Sequence, residues 1–238
     1  MTQISYLPER IKRIDPNPIA SADSPGIGVA YSGQRYVLKI GHPHHPWLPA
    51  SEWICHGLAY AMHLAVPHWT ICQADDGAFY FGSRFEGDVK ALQYQGMTAP
   101  LTENASVVGA TFVFDMFTAN EDRHPGNWLE TESAGVRLLR PIDCSRALLW
   151  RWPLPTPPFQ AQSNSGLFYS IAIATGAMKK ADALDALDKL AGLKKDVWRN
   201  ILGTVPSYWM PEQLQRELIN WWWSPQWHTR INWIRAQL

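Results

Sequence analysis

The strongest constraint on the fold is an apolar helix that leads straight into a polar loop. The stretch from Ala105 to Thr118 is apolar around nearly its whole circumference. A helix with that pattern must be covered by other parts of the chain on all sides. The nine residues that follow, Ala119 to Asn127, are mostly polar. The sequence therefore predicts a buried helix that delivers the chain into a polar loop.

This loop carries the polar groups of a phosphoryl-transfer site. Asp122 is followed five residues later by Asn127, and a further aspartate, Asp143, lies downstream. In kinase-type chemistry one aspartate orients the attacking hydroxyl, while an asparagine and a second aspartate hold Mg²⁺ against the ATP phosphates. Asp and Asn are also common turn residues. The catalytic interpretation is favoured because a short hairpin follows the loop and returns the chain to Asp143.

Length, charge and cysteine content narrow the class of protein. The 238 residues suffice for one large domain or two small lobes, and the formal net charge is zero. A neutral chain argues against non-specific binding to nucleic acid or to an anionic membrane. Three scattered cysteines argue against a disulfide scaffold and favour a reducing cytoplasm. No apolar run of signal-peptide or membrane-spanning type is visible.

The first half of the chain has the element order of a kinase-type N-lobe. Residues 1–23 are polar and interrupted by proline, and we expect a loosely attached N-terminal extension there. Residues 24–87 then predict the order β–β–α–β–β. The elements are strands at 28–31 and 35–40, a helix from Glu52 to about Ala65 with Ser51 as N-cap, and a hairpin of 69–74 and 78–85.

The second half, residues 88–238, is mainly helical. Short strands are predicted at 128–130 and 136–139. The segment from Trp152 to Pro158 has four prolines in seven residues and predicts an extended connector. Helical periodicity then continues over 165–177, 181–191, 194–203, 211–222 and 226–236. The chain as a whole predicts an α+β fold, with a β-rich N-terminal part and a helical C-terminal part.

The polar loop resembles the catalytic loop of a known kinase family. Asn120-x-Asp122-Arg123-His124-x-x-Asn127 is similar to the N-x-D-R-H-x-x-N loop of HipA-like serine/threonine kinases. It is most similar to the compact members whose loop reads D-R-H-P-G-N. The resemblance runs from about Gly28 to Leu149 and is weak in the C-terminal helices. It implies a bilobal protein-kinase-like fold, and it implies that the protein uses ATP and Mg²⁺.

The resemblance also implies a role for each residue of the loop. Asp122 corresponds to the catalytic base, and Asn127 and Asp143 correspond to the Mg²⁺ ligands. His124 lies where protein kinases often place a lysine that neutralises the transferring phosphoryl group, and a purely structural role is the alternative. Arg123 is expected to brace the loop by hydrogen bonds. The family's variation after the metal-binding aspartate accommodates the sequence Asp143-Cys144-Ser145.

A lysine in an apolar strand is the first candidate for nucleotide binding. Lys39 ends the run Tyr36-Val37-Leu38-Lys39-Ile40. Burying an unpaired ammonium is expensive, so Lys39 needs an anionic partner. ATP phosphates and the carboxylate of Glu52 are the partners that a kinase supplies. The alternative is a lysine on an edge strand that faces water.

Two further segments are candidates for nucleotide contacts. Gly26 and Gly28 precede Lys39 and could cover the phosphates, although the G-x-G-x-x-G spacing is missing, and turn glycines are an equal alternative. The segment Arg84-Phe85-Glu86-Gly87 ends the last N-lobe strand. The resemblance makes it the interlobe hinge, whose backbone would bind adenine, and an ordinary strand end is the alternative.

The histidine-rich loop and the C-terminal tryptophans each allow a functional and a purely structural interpretation. His42, His44 and His45 lie in a proline-rich loop, and the prolines predict an extended, exposed segment. A transition-metal site is the alternative, but the further ligands that it needs are not evident in the sequence. Six of the thirteen tryptophans follow residue 205. They predict core packing, with a docking surface for a partner protein as the alternative.

The leading hypothesis is an ATP- and Mg²⁺-dependent phosphotransferase that acts on a Ser or Thr hydroxyl of a protein. One alternative is a catalytically silent, kinase-like module that binds a nucleotide and a partner protein. The other alternative is a kinase whose acceptor is a hydroxyl of a small molecule.

Overall fold

A five-stranded barrel forms the N-terminal part of the molecule. The computed structural model describes residues 7–16, 23–86, 90–133 and 135–238. The strands close in the order β1-β2-β3-β5-β4, and a helix, α1, lies between β3 and β4 in the chain. Their bounds are β1 Glu9–Asp15, β2 Ile27–Ala30, β3 Arg35–Lys39, α1 Leu48–Ala61, β4 Trp69–Ala74 and β5 Phe79–Arg84.

A three-stranded sheet and seven helices form the rest of the described chain. The sheet has the order β6-β7-β8, with β6 Lys90–Ala91, β7 Trp128–Ser133 and β8 Val136–Pro141. The helices are α2 Thr98–Glu103, α3 Ala105–Thr118, α4 Asn164–Ala174, α5 Lys180–Ala191, α6 Lys195–Gly203, α7 Glu212–Trp221 and α8 Pro225–Gln237. None of the helices in the described ranges has the length and apolar character needed to cross a membrane.

Helix α3 is the centre of the helical part, as its apolar pattern predicts. Its bounds agree with the prediction, and it packs against α5 and α8. Side chains such as Val113 and Phe117 are fully buried. The residue that follows the helix, Ala119, takes a left-handed conformation with φ of 55°. This turn directs the chain out of the core and into the polar loop.

The tryptophans of the C-terminal helices mostly pack against one another. The Trp198 and Trp222 rings are stacked with centroids 4.7 Å apart, and Trp227 lies 5.6 Å from Trp222. Trp223, by contrast, is 46% exposed. Core packing is therefore confirmed for this aromatic group, and a docking role stays a prediction that concerns Trp223.

Most predicted elements are confirmed, and the C-terminal helices agree within three residues at each end. The start of α1 was predicted wrongly: the helix begins at Leu48 rather than Glu52. Pro49 occupies the first turn, where a missing N–H costs no hydrogen bond. Ser51 does not cap the helix, because its hydroxyl donates to the Ala147 carbonyl at 2.7 Å. The helix also ends early, at Ala61.

The loosely attached extension was predicted wrongly where it is described. Strand β1 pairs antiparallel with β2 and parallel with β4, with Ile11 opposite Ala74. Ile11 is 1% exposed. The other residues of β1 are mostly charged, and only one side chain of the strand is buried. The sequence therefore lacks the alternation of apolar residues that would predict a strand. Residues 1–6 and 17–22 of the predicted extension lie outside the described residues.

Replacing Ile11 tests whether β1 belongs to the barrel. We expect Ile11→Ala to lower the free energy of unfolding by about 2–4 kcal/mol, because it leaves a cavity between strands. Lys12→Ala, on the exposed face of the same strand, should change it by about 0.5 kcal/mol or less. Urea unfolding of both variants measures the difference. A negligible effect of Ile11→Ala would mean that β1 contributes nothing to the fold.

Candidate active site

A buried ion pair organises the polar loop. Arg123 is fully buried, and its Nε and Nη2 donate to the two carboxylate oxygens of Asp115 on α3 at 2.8 and 3.0 Å. Its Nη1 donates to the carbonyls of Asn127 and Ile142 at 3.0 and 2.6 Å. One guanidinium thus joins α3, the end of the loop at Asn127 and the residue that follows β8. Arg123 braces the loop, as the sequence predicts.

Asp115 is a site residue that the sequence analysis missed. Besides Arg123 it accepts hydrogen bonds from the Asn120 amide at 2.9 Å and from the Tyr169 hydroxyl. A carboxylate can be buried when its charge is paired and its oxygens are hydrogen-bonded, and both conditions hold here. A lone aspartate in an otherwise apolar helix was the available signal.

Asp122 lies half-buried at the tip of the loop. Its backbone N–H donates to the Asn120 side chain at 3.2 Å, and its carbonyl accepts from the Asn127 amide at 2.9 Å. Its carboxylate Oδ1 accepts a hydrogen bond of 2.6 Å from Asn164 at the start of α4. The carboxylate is therefore anchored on one oxygen and accessible to solvent, which suits a group that must meet an acceptor.

His124 has a structural contact within the loop. Its Nδ1 accepts a hydrogen bond of 3.1 Å from the Gly126 backbone. This bond opens the short 3-10 turn Pro125–Asn127 that leads into β7. With Nδ1 as the acceptor, Nε2 is the nitrogen that carries the ring proton. The contact favours the structural alternative, and a role in charge neutralisation stays a prediction.

Lys39 reaches across from the barrel to Asp143. Its ammonium Nζ lies 2.9 Å from Asp143 Oδ2 and 2.9 Å from the Ser145 hydroxyl, and the residue is 5% exposed. The alternative of a lysine facing water is therefore wrong. The anionic partner that we expected from the sequence, Glu52, is reached only through Ser145, whose hydroxyl donates to Glu52 Oε1 at 3.1 Å.

The Glu52 carboxylate is held in a fully buried pocket. It accepts hydrogen bonds from the Cys144 backbone N–H and the Ser145 hydroxyl. Burial, reinforced by the nearby Asp143 charge, raises the pKa of Glu52 to about 7, although Lys39 opposes this shift. Glu52 therefore changes its protonation near neutral pH.

Asp143 has the opposite balance. Burial would raise the pKa of Asp143, but the Lys39 ammonium, with hydrogen bonds from Lys39 and Ser145, outweighs burial and holds the pKa below its usual range. The carboxylate is therefore ionised at neutral pH. Its backbone is left-handed, with φ of 58°.

Asn127 and Asp143 come together because the hairpin β7–β8 begins and ends beside them. Trp128 pairs with Pro141, and the Ile142 backbone N–H donates to the Asn127 carbonyl at 3.0 Å. The Asn127 amide nitrogen is used by the Asp122 carbonyl, which leaves its side-chain oxygen as an acceptor. A carboxylate and an amide oxygen are ligands that fit Mg²⁺.

This pair is a partial ligand set. Within the described ranges no group of three or more His, Cys, Asp and Glu side chains forms a metal cage. Mg²⁺ commonly takes one or two carboxylates and completes its shell with water and substrate phosphates. The residues present therefore fit a metal that arrives with a nucleotide.

Packing explains both candidate glycines of the phosphate-covering segment. Gly28 lies inside β2, and a Cβ there would meet the Leu38 side chain at 2.9 Å. Gly26 has φ of 150°, and a Cβ would lie 2.3 Å from the Asp15 carbonyl oxygen. Both residues serve the approach of neighbouring strands, and a contact of either with phosphate stays a prediction.

The predicted hinge follows β5, and part of its backbone is already bonded. The Phe85 N–H donates to the Arg35 carbonyl at 2.9 Å, and the Arg35 guanidinium lies 4.3 Å from the Phe85 ring centre. The Glu86 carboxylate accepts from Arg140 at 2.7 Å. Arg84 is the last residue of β5, and Gly87 lies outside the described residues.

The histidine loop is more deeply anchored than its prolines predict. His45 is buried, and its Nε2 lies 3.0 Å from the Ser145 carbonyl oxygen. Burial lowers the pKa of His45 to about 4, so the ring is neutral. His42 lies 3.6 Å from Asp23. The interpretation of the whole loop as exposed is therefore wrong for His45, which supports the segment after Asp143.

Comparison with known proteins places this arrangement in a kinase-like fold. No family model matches the sequence, and no characterised protein matches it significantly. The structure is similar to the Helicobacter pylori proinflammatory kinase CtkA, with a TM-score of 0.61 and 13% identity over 97% of this chain and 98% of that chain.

A second similar structure is HipA of Shewanella oneidensis MR-1, solved with HipB and operator DNA. Its TM-score is 0.53 with 10% identity, over 94% of this chain and 65% of that chain. At these identities the likeness is one of fold. The chain has a mixed α+β fold like that of these two structures, with a β-rich N-terminal part and a helical C-terminal part.

Removing the charge of Asp115 tests the buried ion pair. We expect Asp115→Asn to lower the free energy of unfolding by about 3–5 kcal/mol, because Arg123 keeps an uncompensated buried charge. Glu121→Gln is the matched control: Glu121 pairs with Arg151 at 2.7 Å but is partly exposed, so about 0–1 kcal/mol is expected. Similar losses from both substitutions in urea unfolding would contradict the assigned importance of Asp115.

The raised pKa of Glu52 predicts a dependence of stability on pH. The folded protein holds the Glu52 proton up to about pH 7, whereas the unfolded chain releases it near its ordinary value. The stabilisation that the protonated Glu52 contributes to the folded state is therefore complete below the pKa of the unfolded chain, and it is lost as pH rises through about 7. When the pH is raised from 5 to 8, the free energy of unfolding of Glu52→Gln should increase by on the order of 1–3 kcal/mol relative to that of the wild type. Parallel curves of unfolding free energy against pH would refute the shift.

Proposed function

We propose that this protein is an ATP- and Mg²⁺-dependent phosphotransferase of the HipA-like kinase type. The observation that carries the proposal is the 2.9 Å contact between Lys39 on β3 and Asp143 after β8. It joins a buried cation and an ionised carboxylate that are 104 positions apart in the chain. A kinase needs this pair, because the lysine binds phosphates and the aspartate binds the metal between them.

The residues of the loop take complementary roles in this proposal. Asn127 and Asp143 would hold Mg²⁺ through their side-chain oxygens. Bound Mg²⁺ would supply charge neutralisation at the ATP phosphates. Asp122 would orient the acceptor hydroxyl and take its proton, from a position that is accessible to solvent. Arg123 keeps these groups at fixed separations, so most of the acceleration would come from positioning and electrostatics.

The nucleotide contacts complete the proposal. Lys39 would bind the phosphates, with Glu52 and Ser145 behind it as a hydrogen-bonded support. Adenine would bind at the segment that follows Arg84. We further propose a two-lobed arrangement, with residues 24–87 and strand β1 in the N-lobe and residues 88–238 in the C-lobe. The three buried free cysteines accord with a reducing cytoplasm.

For the acceptor we propose a Ser or Thr hydroxyl of a protein. The neutral charge of the chain gives no reason to expect a cationic small molecule. The part of the chain around Asp122 is open, since Asn164 beside it is exposed. A protein segment can therefore approach the carboxylate without entering a deep cavity.

The proposal is tested by transfer of label from γ-labelled ATP. Wild type, Asp122→Ala and Asp143→Ala are incubated with Mg²⁺ and cell-lysate proteins, and Asp185→Ala on the exposed face of α5 is the matched control. Each site variant should lose about 10²–10⁴-fold in rate, because proton transfer or metal binding is removed. The control should transfer at the wild-type rate, and EDTA should abolish transfer.

The other outcomes identify the alternatives. Equal labelling by all four proteins would refute the assignment of Asp122 and Asp143. Thermal stabilisation by ATP and Mg²⁺ without transfer would indicate a silent nucleotide-binding module. Label that appears in small molecules rather than in phosphoserine or phosphothreonine would indicate the small-molecule kinase.

A further inference from the structure

The start of helix α4 is bonded along the polar loop. The Ser165 hydroxyl donates to the Asn120 carbonyl at 2.6 Å and accepts from the Arg123 backbone N–H at 2.8 Å. The Ser165 backbone N–H donates to the Glu121 carbonyl at 3.1 Å. Three hydrogen bonds from one buried serine therefore fix the first turn of α4 against the residues on both sides of Asp122.

The chain before this turn is equally constrained. The Ser163 hydroxyl caps α4 by accepting from the Gly166 N–H at 3.1 Å. A Cβ on Gly166 would lie 2.4 Å from the Gln160 carbonyl oxygen and 2.5 Å from that of Ala161. The helix can start here only with a glycine at this position. Ser163-Asn164-Ser165-Gly166 thus forms a rigid first turn.

Asn164 lies between these two anchored serines and contacts the candidate base directly. Its Nδ2 donates to Asp122 Oδ1 at 2.6 Å, although the side chain is exposed. No residue in the part of the chain that the structure describes donates to the other oxygen, Asp122 Oδ2. The contact therefore holds one carboxylate oxygen and leaves the second for the acceptor.

We propose that Asn164 is a positioning residue that orients the Asp122 carboxylate for phosphoryl transfer. This inference rests on the proposed function. In the reaction the acceptor oxygen bonds to the γ-phosphorus, the bond to the β–γ bridging oxygen breaks, and ADP leaves with its electron pair. The acceptor proton passes to Asp122 Oδ2. Because Oδ1 keeps its bond to Asn164, the carboxylate cannot rotate away from the acceptor.

If Asn164 only stabilised the start of α4, the substitution Asn164→Asp would be tolerated, whereas a positioning role predicts that it is harmful. A negative side chain in the first turn of a helix is favourable for the helix, because it faces the positive end of the helix dipole. Next to Asp122, however, the same negative charge removes the donor and repels the carboxylate. Asn164→Asp therefore separates a positioning role from a structural one.

The experiment compares Asn164→Ala and Asn164→Asp with wild type. Initial rates of label transfer from γ-labelled ATP and Mg²⁺ to lysate proteins are measured over a range of ATP concentrations. At saturating ATP we expect a loss of about 10-fold for Asn164→Ala and about 100-fold for Asn164→Asp, because the base is misplaced by about 1 Å or repelled. The KM for ATP and the melting temperature should stay at their wild-type values. Asn200→Asp, on the exposed face of α6, is the matched control and should transfer normally.

Wild-type transfer by Asn164→Asp would overturn the inference, as would equal losses in both variants that follow a lowered melting temperature. The contact is also tested without activity, by the side-chain amide resonance of Asn164 in ¹H–¹⁵N spectra. Asp122→Ala should shift this resonance upfield, and an unchanged resonance would overturn the contact. A wild-type protein that transfers no label contradicts the proposed function, while the amide resonance still decides whether Asn164 holds Asp122.

Discussion

The buried pair of Arg123 and Asp115 is the interaction on which the candidate site depends. An unpaired guanidinium inside a protein is strongly unfavourable, so its donors must all find acceptors at once. Here the acceptors are a helix carboxylate, the carbonyl of Asn127 at the end of the loop and the carbonyl of Ile142 after β8. Satisfying one side chain therefore determines where Asp122, Asn127 and Asp143 lie relative to α3.

A second set of contacts joins the barrel to this arrangement. Hydrogen bonds run from Asp143 to the Lys39 ammonium, from there to the Ser145 hydroxyl, and from Ser145 to the Glu52 carboxylate. Because Ser145 accepts from Lys39 and donates to Glu52, the lysine is held by a support that it shares with α1. The barrel is thus connected to Asp143, the proposed metal ligand, by hydrogen bonds rather than by apolar packing alone.

The sequence allowed prediction of groups that stand out locally. Asp122, Asn127 and Asp143 were predicted as site residues from spacing and resemblance, and their roles stay predictions. Lys39 was predicted to be a paired, buried charge in an apolar strand, and the helix periods gave nearly all helices. Asp115, Ser145 and Asn164 were not recognised, because their meaning comes from partners far away in the chain. Strand β1 was missed for a similar reason. It is held by backbone pairing with β2 and β4, and its mostly charged sequence does not indicate that pairing.

The closure of the barrel has a consequence for the order of folding. Strand β1 precedes the other described strands in the chain, yet one of its two neighbours is β4, about sixty residues later, and that pairing is parallel. Bringing such distant segments together costs loop-closure entropy before any contact compensates for it. The hairpins β2–β3 and β4–β5 can form locally, whereas the last seam must wait until β4 has left the ribosome. The pairing of β1 with β4 thus spans the longest separation among the described barrel strands, and the strand that carries Lys39 lies in a closed barrel only once that pairing has formed.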